Sequence, residues 1–372
     1  MRETIFTVPI DKTGWKVQDG SGAVQFSWNY DSSREQLLNL YEKGKRRQWD
    51  AKIRIDWDLE IDHSNPLGSS DEMIPLFGSP TWTKLSQKNK IELRRHIVAW
   101  QFSQFLHGEQ GALICASKIV QTVPELDAKY YAATQVFDEA RHMEVYSTYL
   151  DKLGLAYPIN PNLKSLLEDV LTDSRWDMTY LGMQVLIEGL ALAAFGLIRN
   201  FTTNELGRTI TAYVMQDEAR HVTFGRNALK DFYPQLSSAE RQEREEFAAE
   251  ACLSMRDRFL SEEVWATLGY DVSECVNWMK NSPGQIQFRS FLFMRIVPIL
   301  RDIGLWGPTI RESFEKMGII GFADTDVDVD VDVDEMMKDD EAQDNAFDKR
   351  RVNQVRETIA AAKSDSPGLD LT

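Results

Sequence analysis

Apolar positions recur at intervals of three and four through most of the chain, and few stretches keep the two-residue alternation of a strand. Across residues 86–121, Trp100, Phe105, Ala112 and Ala116 fall at near-helical spacing, with Glu109 among them. The same period continues over 125–153 until Gly154, a residue that readily stops a helix. Residues 176–201 and 205–233 make a second pair of long helical patterns. Between the pairs lies a longer connection with Pro158, Pro161 and a short amphipathic piece at 163–171. The pattern predicts an all-α fold, a four-helix bundle of two hairpins joined by a crossover. Additional N- and C-terminal helices are predicted at 33–49, 238–267 and 285–305, the last kinked at Pro298.

The polar positions divide the chain into three regions. Residues 1–85 are a leader rich in aromatic side chains, and Trp15, Trp28, Tyr30, Trp49 and Trp57 are expected to cover the bundle. Residues 86–323 carry the bundle and its outer helices. Residues 324–372 form an acidic tail in which Asp and Val alternate from Asp326 to Asp334, a composition expected to stay disordered apart from a short helix at 347–363. A calcium loop is disfavoured there, because the repeat lacks the central glycine of an EF-hand.

That tail changes how the net charge of −16 is read. Residues 324–344 hold nine Asp and two Glu against one Lys, so this segment alone carries −10. The remainder is only mildly acidic and has no basic patch, which argues against nucleic-acid binding. The most apolar helix pattern, 181–198, is interrupted by Glu188 and reads as a buried core helix, so no membrane span is expected. Three cysteines without paired spacing, Cys115, Cys252 and Cys275, suit a reducing compartment, and the first residues lack the apolar run of a signal peptide. A cytoplasmic protein is the expectation.

Candidate chemistry lies in a repeat. Asp-Glu-Ala-Arg-His occurs at Asp138-Glu139-Ala140-Arg141-His142 and again at Asp217-Glu218-Ala219-Arg220-His221. Each copy has a lone glutamate thirty positions upstream, Glu109 and Glu188. Residues i and i+3 share a helix face, so each Glu-x-x-His presents a carboxylate and an imidazole in one direction. With turns near Pro124 and at Thr203-Asn204, the lone and paired glutamates of each hairpin are about fifteen residues from the turn, roughly 22 Å, and meet at one level. Four carboxylates and two imidazoles in a bundle core are a di-metal site. Ordinary solvated helix faces are the alternative. Glu188 weighs against them, because its neighbours in sequence are apolar and a buried carboxylate must find a cation or a proton.

The donor set of Glu109, Glu139, His142, Glu188, Glu218 and His221 suits iron or manganese. Metal-bound imidazoles usually donate their second nitrogen to a carboxylate. Asp138 is therefore expected to hold the facing His221, and Asp217 the facing His142, with Arg141 and Arg220 pairing those aspartates. Phe105, Ala112, Gln184, Ala191 and Phe195 lie one turn from the single glutamates and would line a pocket beside the metals. His107, two positions from Glu109, points away from it, and His63 falls in a loop.

On these residues the chain resembles the ferritin-like di-iron carboxylate superfamily, which includes ribonucleotide reductase small subunits, bacterial multicomponent monooxygenases and amine N-oxygenases. The likeness covers about residues 90–233. The Asp-Glu-x-Arg-His form is most similar to the multicomponent monooxygenases. Phe105-Leu-His-Gly-Glu-Gln-Gly-Ala-Leu113 is similar to bacterial ferritin-like proteins of unassigned role. Amine N-oxygenases carry a further histidine one turn before the last glutamate, and this chain departs from that pattern with Val214. The resemblance implies two iron ions, with Mn/Fe as the variant, and dioxygen as co-substrate. It implies an oxygenase or oxidase that hydroxylates, N-oxygenates or desaturates a small molecule, fed by an external electron donor, and it allows a homodimer. A radical-generating subunit is the alternative, since Tyr146 follows His142 by four, where ribonucleotide reductase small subunits place their radical tyrosine. Against it, the first ligand there is commonly Asp and here is Glu109. Iron storage is the third reading, obstructed by the leader and outer helices.

Overall fold

Helix boundaries fall where capping chemistry puts them. The computed structural model describes residues 34–325 continuously, with a few single positions outside that range. Helix α1 is Glu35–Arg46. Helix α2, Gln87–Thr122, starts where Ser86 Oγ accepts from the Asn89 amide, and stops at Val123, which the following Pro124 holds in extended backbone. Helix α3, Leu126–Leu153, returns beside α2 and ends on Gly154 at φ 69°, the left-handed position glycine favours. The crossover contains α4, Pro161–Thr172, capped by Asn160. It presses so close to α2 that a β-carbon at Gly111 would lie 2.5 Å from Leu167 Cδ2.

The second hairpin pairs α5, Trp176–Phe201, with α6, Glu205–Phe232, whose first turn is capped by Asn204 Oδ1 accepting from the Gly207 amide at 2.8 Å. Within α5 the stretch Tyr180–Ile187 is a π-helix, and the Glu188 amide donates to the Met183 carbonyl five residues back. The wide turn immediately precedes the lone glutamate. Helix α5 is long and apolar enough to cross a membrane, but 83% of its most apolar window is buried inside this fold. Helix α1 lies across α3 and α6, and α7, Ser238–Arg258, packs outside α4 and α5.

Two outer helices differ from the sequence expectation. The helix expected over 238–267 breaks after Arg258, where Ser261 takes φ 52°, and a separate helix Glu262–Thr267 follows. The helix expected over 285–305 divides into Pro283–Phe291 and Ile296–Asp302. Pro298 sits in the first turn of the second piece, where amides have no intrahelical acceptor and a missing N–H costs little, so the chain breaks ahead of the proline and is not kinked at it.

The chain divides into two units, Met1–Val327 and Asp328–Thr372. The first unit takes in Ala323, whose carbonyl accepts from Arg301 Nη1 at 2.7 Å. Residues 34–85 share this unit with the bundle. Trp15, Trp28 and the Asp/Val alternation lie outside the described residues, and Tyr30 is 65% exposed. In the second unit Lys349, Val352, Asn353, Val355, Arg356 and Glu357 are helical and exposed.

Candidate metal centre

The two hairpins bring all six candidate ligands to one level of the core, where none is more than 5% exposed. Glu109 comes from α2, Glu139 and His142 from α3, Glu188 from α5, Glu218 and His221 from α6. Two donor groups can each surround an ion: Glu109, Glu139, His142 and Glu218 in one, Glu139, Glu188 and His221 in the other. Glu139 belongs to both. Its Oε2 is 3.3 Å from His142 Nδ1, and its Oε1 is 3.1 Å from His221 Nδ1. Glu218 spans the same gap, with Oε1 3.1 Å from His142 Nδ1 and Oε2 3.5 Å from His221 Nδ1. The glutamates of the two Glu-x-x-His pairs therefore lie between the positions, while Glu109 and Glu188 flank one position each.

Both imidazoles turn Nδ1 into this cluster and Nε2 outward to an aspartate. His142 Nε2 lies 3.0 Å from Asp217 Oδ2, and His221 Nε2 lies 3.3 Å from Asp138 Oδ2. An aspartate that accepts from Nε2–H leaves the Nδ1 lone pair for a metal. The aspartates are held in turn by buried guanidiniums. Arg141 Nη2 donates to Asp138 at 2.5 Å and to Asp217 at 2.8 Å, and Arg220 Nη2 donates to Asp217. Neither arginine is on a solvated face, being 5% and 2% exposed.

The layer beyond comes from the leader. Gln48 Nε2 donates to Asp138 Oδ1 at 2.8 Å, and its Oε1 accepts from Arg141 Nη1 at 2.7 Å. Trp49 Nε1 donates to Asp217 Oδ2 at 2.8 Å, while its ring lies 4.7 Å from both the Arg141 guanidinium and the Tyr213 ring. A covering role for Trp49 was legible from composition; its donation to Asp217 was not. Trp57, by contrast, donates only to the Ala51 carbonyl.

On α3, one turn before Glu139, the fully buried Gln135 donates from Nε2 to Glu139 Oε1 at 3.0 Å and to Glu188 Oε1 at 2.9 Å. Its Oε1 accepts from Gln184 Nε2 at 3.4 Å. The sequence offered no signal for Gln135, since a glutamine on a helix ordinarily reads as surface. Of the expected pocket residues, Phe105, Phe195 and Tyr146 pack together, with Phe105 4.7 Å from Phe195 and 5.7 Å from Tyr146 between ring centroids. Ala112 and Gln184 are buried. Ala191, on the same helix as Gln184, is partly exposed. His107 Nε2 meets the Tyr157 carbonyl at 2.8 Å, away from Glu109 as its position predicts.

The electrostatics fit two cations. Burial and the neighbouring Glu218 push the Glu109 and Glu188 carboxyls well above the usual range. Against burial, which favours neutral rings, Glu109 raises His142 and Glu139 raises His221. Burial would also raise Glu139, but the His221 and His142 imidazoles beside it outweigh burial and hold Glu139 low. Glu139 Oε2, Glu188 Oε2, both Glu218 oxygens and His221 Nδ1 are buried without a hydrogen-bond partner. Five such atoms pointing into one space would each carry a desolvation penalty unless cations met them. Four carboxylates and two imidazoles are the donors that iron and manganese accept.

Residues 31–304 match the protein family described as p-aminobenzoate N-oxygenase AurF. Curated protein sequences gave no match. Among solved structures, an R2-like ligand-binding oxidase with a Mn/Fe cofactor is similar at 16% identity and TM-score 0.46, over 75% of this chain and 100% of that one. Dimanganese(II)-NrdF from Streptococcus sanguinis is similar at 15% identity and TM-score 0.46, over 80% of this chain and 98% of that one.

Proposed function

The chain belongs to the p-aminobenzoate N-oxygenase AurF family, and from that premise we propose that it adds oxygen to the amino nitrogen of a small aromatic amine. It is a non-haem di-iron oxygenase, with Mn/Fe as the variant pair. The chain falls in this family although the fully buried Val214 stands where amine N-oxygenases carry a further histidine. The single observation that carries the reading is the set of six buried ligands with five unpartnered donor atoms at one level of the bundle.

Glu109, Glu139, His142 and Glu218 would hold one ion; Glu139, Glu188, His221 and Glu218 the other. Bound there, the pair supplies the two-electron reduction chemistry of dioxygen. The protein's own contribution is positional. Asp138 and Asp217 fix the imidazole tautomers, and Arg141 and Arg220 hold those aspartates in place inside the core. Trp49 and Gln48 close the side facing the leader, and the Phe105, Phe195 and Tyr146 rings exclude water on the α2 and α5 side. A first monooxygenation balances as amine, dioxygen, two electrons and two protons giving hydroxylamine and water, so an external electron donor is required. Three buried, free cysteines support a cytoplasmic location.

The test supplies iron-loaded protein with a chemical reductant, ¹⁸O₂ and a panel of aromatic amines that includes p-aminobenzoate. A product heavier by one labelled oxygen on nitrogen, dependent on iron, is expected. Oxygen uptake that leaves every amine unchanged would overturn the substrate class.

One observation favours a second reading. Tyr146 is 1% exposed, its hydroxyl has no partner, and burial together with Glu109 pushes its pKa well up, so it is a neutral phenol enclosed by rings. Such a phenol is suited to storing a one-electron oxidation. A stable tyrosyl signal in electron paramagnetic resonance after oxygen exposure, absent in Tyr146→Phe and unaccompanied by organic product, would select radical generation. Turnover retained in Tyr146→Phe would select oxygenation.

A further inference from the structure

The two halves of the centre are similar in sequence but not in surroundings. Gln135 stands on one side only. Its amide nitrogen has two hydrogens, and each goes to a different carboxylate: one to Glu139 Oε1, the other to Glu188 Oε1. The amide orientation is not ambiguous, because a carbonyl oxygen there would face two carboxylate oxygens, and because Gln184 Nε2 donates to the oxygen end. The oxygens left over, Glu139 Oε2 and Glu188 Oε2, are the buried ones without a partner.

The opposite side is built differently. Glu109 Oε2 takes its hydrogen bond from His142 Nδ1 at 3.2 Å, and that nitrogen is the one a metal would claim. No side-chain amide reaches Glu109 among the described residues. An ion at the His142 position would therefore leave Glu109 free to change its mode of binding, while Gln135 keeps Glu188 fixed.

On the reading that the six residues hold two ions, we propose that Gln135 is a positioning residue that reserves Glu188 Oε2 for metal, and so makes the Glu188/His221 position rigid and the Glu109/His142 position adaptable. Gln184 serves it by holding the amide in the orientation that donates to both carboxylates. Neither glutamine is a ligand. The consequence is two unequal metal positions in a site whose ligands are symmetric by sequence. The adaptable side, where Glu109 can shift, is the side on which an incoming molecule displaces a ligand most easily.

The experiment is anaerobic titration with Co(II) against a competing chelator, followed by the visible absorption of the bound ion, on the wild-type chain, Gln135→Met and Gln184→Met. Methionine keeps the length and volume of glutamine but donates nothing. In Gln135→Met one of the two ions is expected to bind 10- to 100-fold more weakly, the range for loss of a group that orients a ligand, with the other changed less than about threefold. Gln184→Met should weaken the same ion by a smaller factor. In a Glu188→Ala background, where the ion at the His142 position is the one expected to remain, adding Gln135→Met should change its binding by less than about threefold, the part that acts through Glu139. A general structural role would instead weaken both ions together. Equal loss at both positions, or no change in either glutamine variant while wild type binds two ions, overturns the inference alone. Fewer than two ions in wild type overturns the metal reading with it.

Discussion

Asp217 is the most heavily used outer residue of the centre, and its replacement by asparagine is the sharpest test of how the imidazoles are set. Asp217 Oδ2 accepts from Trp49 Nε1 at 2.8 Å, Arg141 Nη2 at 2.8 Å and His142 Nε2 at 3.0 Å, and Oδ1 accepts from Arg220. Burial would raise its pKa, but Arg220, His142 and Arg141 hold the carboxyl well below the ordinary range. Asparagine preserves the shape and removes the charge. Removing one partner of a buried ion pair costs about 3–5 kcal/mol. Here the lower end applies, since Arg141 keeps Asp138 at 2.5 Å and Gln48 at 2.7 Å, and Arg220 keeps the Gln216 carbonyl at 3.1 Å. The second effect is on the ring. An asparagine NH₂ turned toward Nε2 favours the tautomer with its proton on Nδ1, which blocks the nitrogen that would bind metal. Together these predict an ion at the His142 position that binds about 10- to 100-fold more weakly, or roughly 1.4–2.7 kcal/mol. The checks are thermal unfolding of metal-free protein and anaerobic Fe(II) titration against a chelator. Asp138→Asn should weaken the other position, and by less, because its bond to His221 is longer at 3.3 Å. If Asp217→Asn binds both ions within about threefold of wild type, the assignment of the aspartates is wrong.

Other expectations follow from the same geometry. Glu188→Ala should lose at least one ion per chain by elemental analysis while keeping its helical circular dichroism, because the change removes a buried carboxylate crowded by Glu218; full retention of two ions would remove Glu188 from the ligand set. A chain ending at Val327 should fold and load metal normally, since the described contacts of the first unit are complete by Thr325; loss of cooperative unfolding would show that the acidic tail stabilises the core. Arg258 is 5% exposed, has no ion pair or side-chain hydrogen bond among the described residues, and burial pushes its pKa down to about 10. Its guanidinium rests 4.9 Å from the Phe259 ring, so Arg258→Met should be neutral or stabilising in chemical denaturation, and a loss above about 1 kcal/mol would reveal a partner for that charge.

The gathering of the six candidate ligands was legible because they are written twice: a repeated Glu-x-x-His with a matched upstream glutamate is a pattern that chance rarely produces on four helices. The reciprocal hold of Asp138 on His221 and Asp217 on His142 was legible for the same reason, since the offset within the motif is fixed by helical geometry. Gln135 escaped because one glutamine on a helix carries no periodic signal, and its two acceptors are four and fifty-three residues away. The π-turn at Tyr180–Ile187 escaped because every residue in it is buried, which erases the one-sided pattern from which turn number is inferred. Ser261 at φ 52° broke an expected helix without a glycine to announce it.

The partners of Trp49 and Gln48 bear on the order in which the molecule is assembled. These two side chains meet aspartates 168 and 90 residues further along the chain. A polypeptide made from its N-terminus can seat α1 and Gln48 on α3 once the first hairpin exists, whereas Trp49 has no acceptor until α6 supplies Asp217. The leader is thus a clasp across the two hairpins, one residue fastened to each. A chain beginning beyond residue 50 would keep every candidate ligand and lose that clasp.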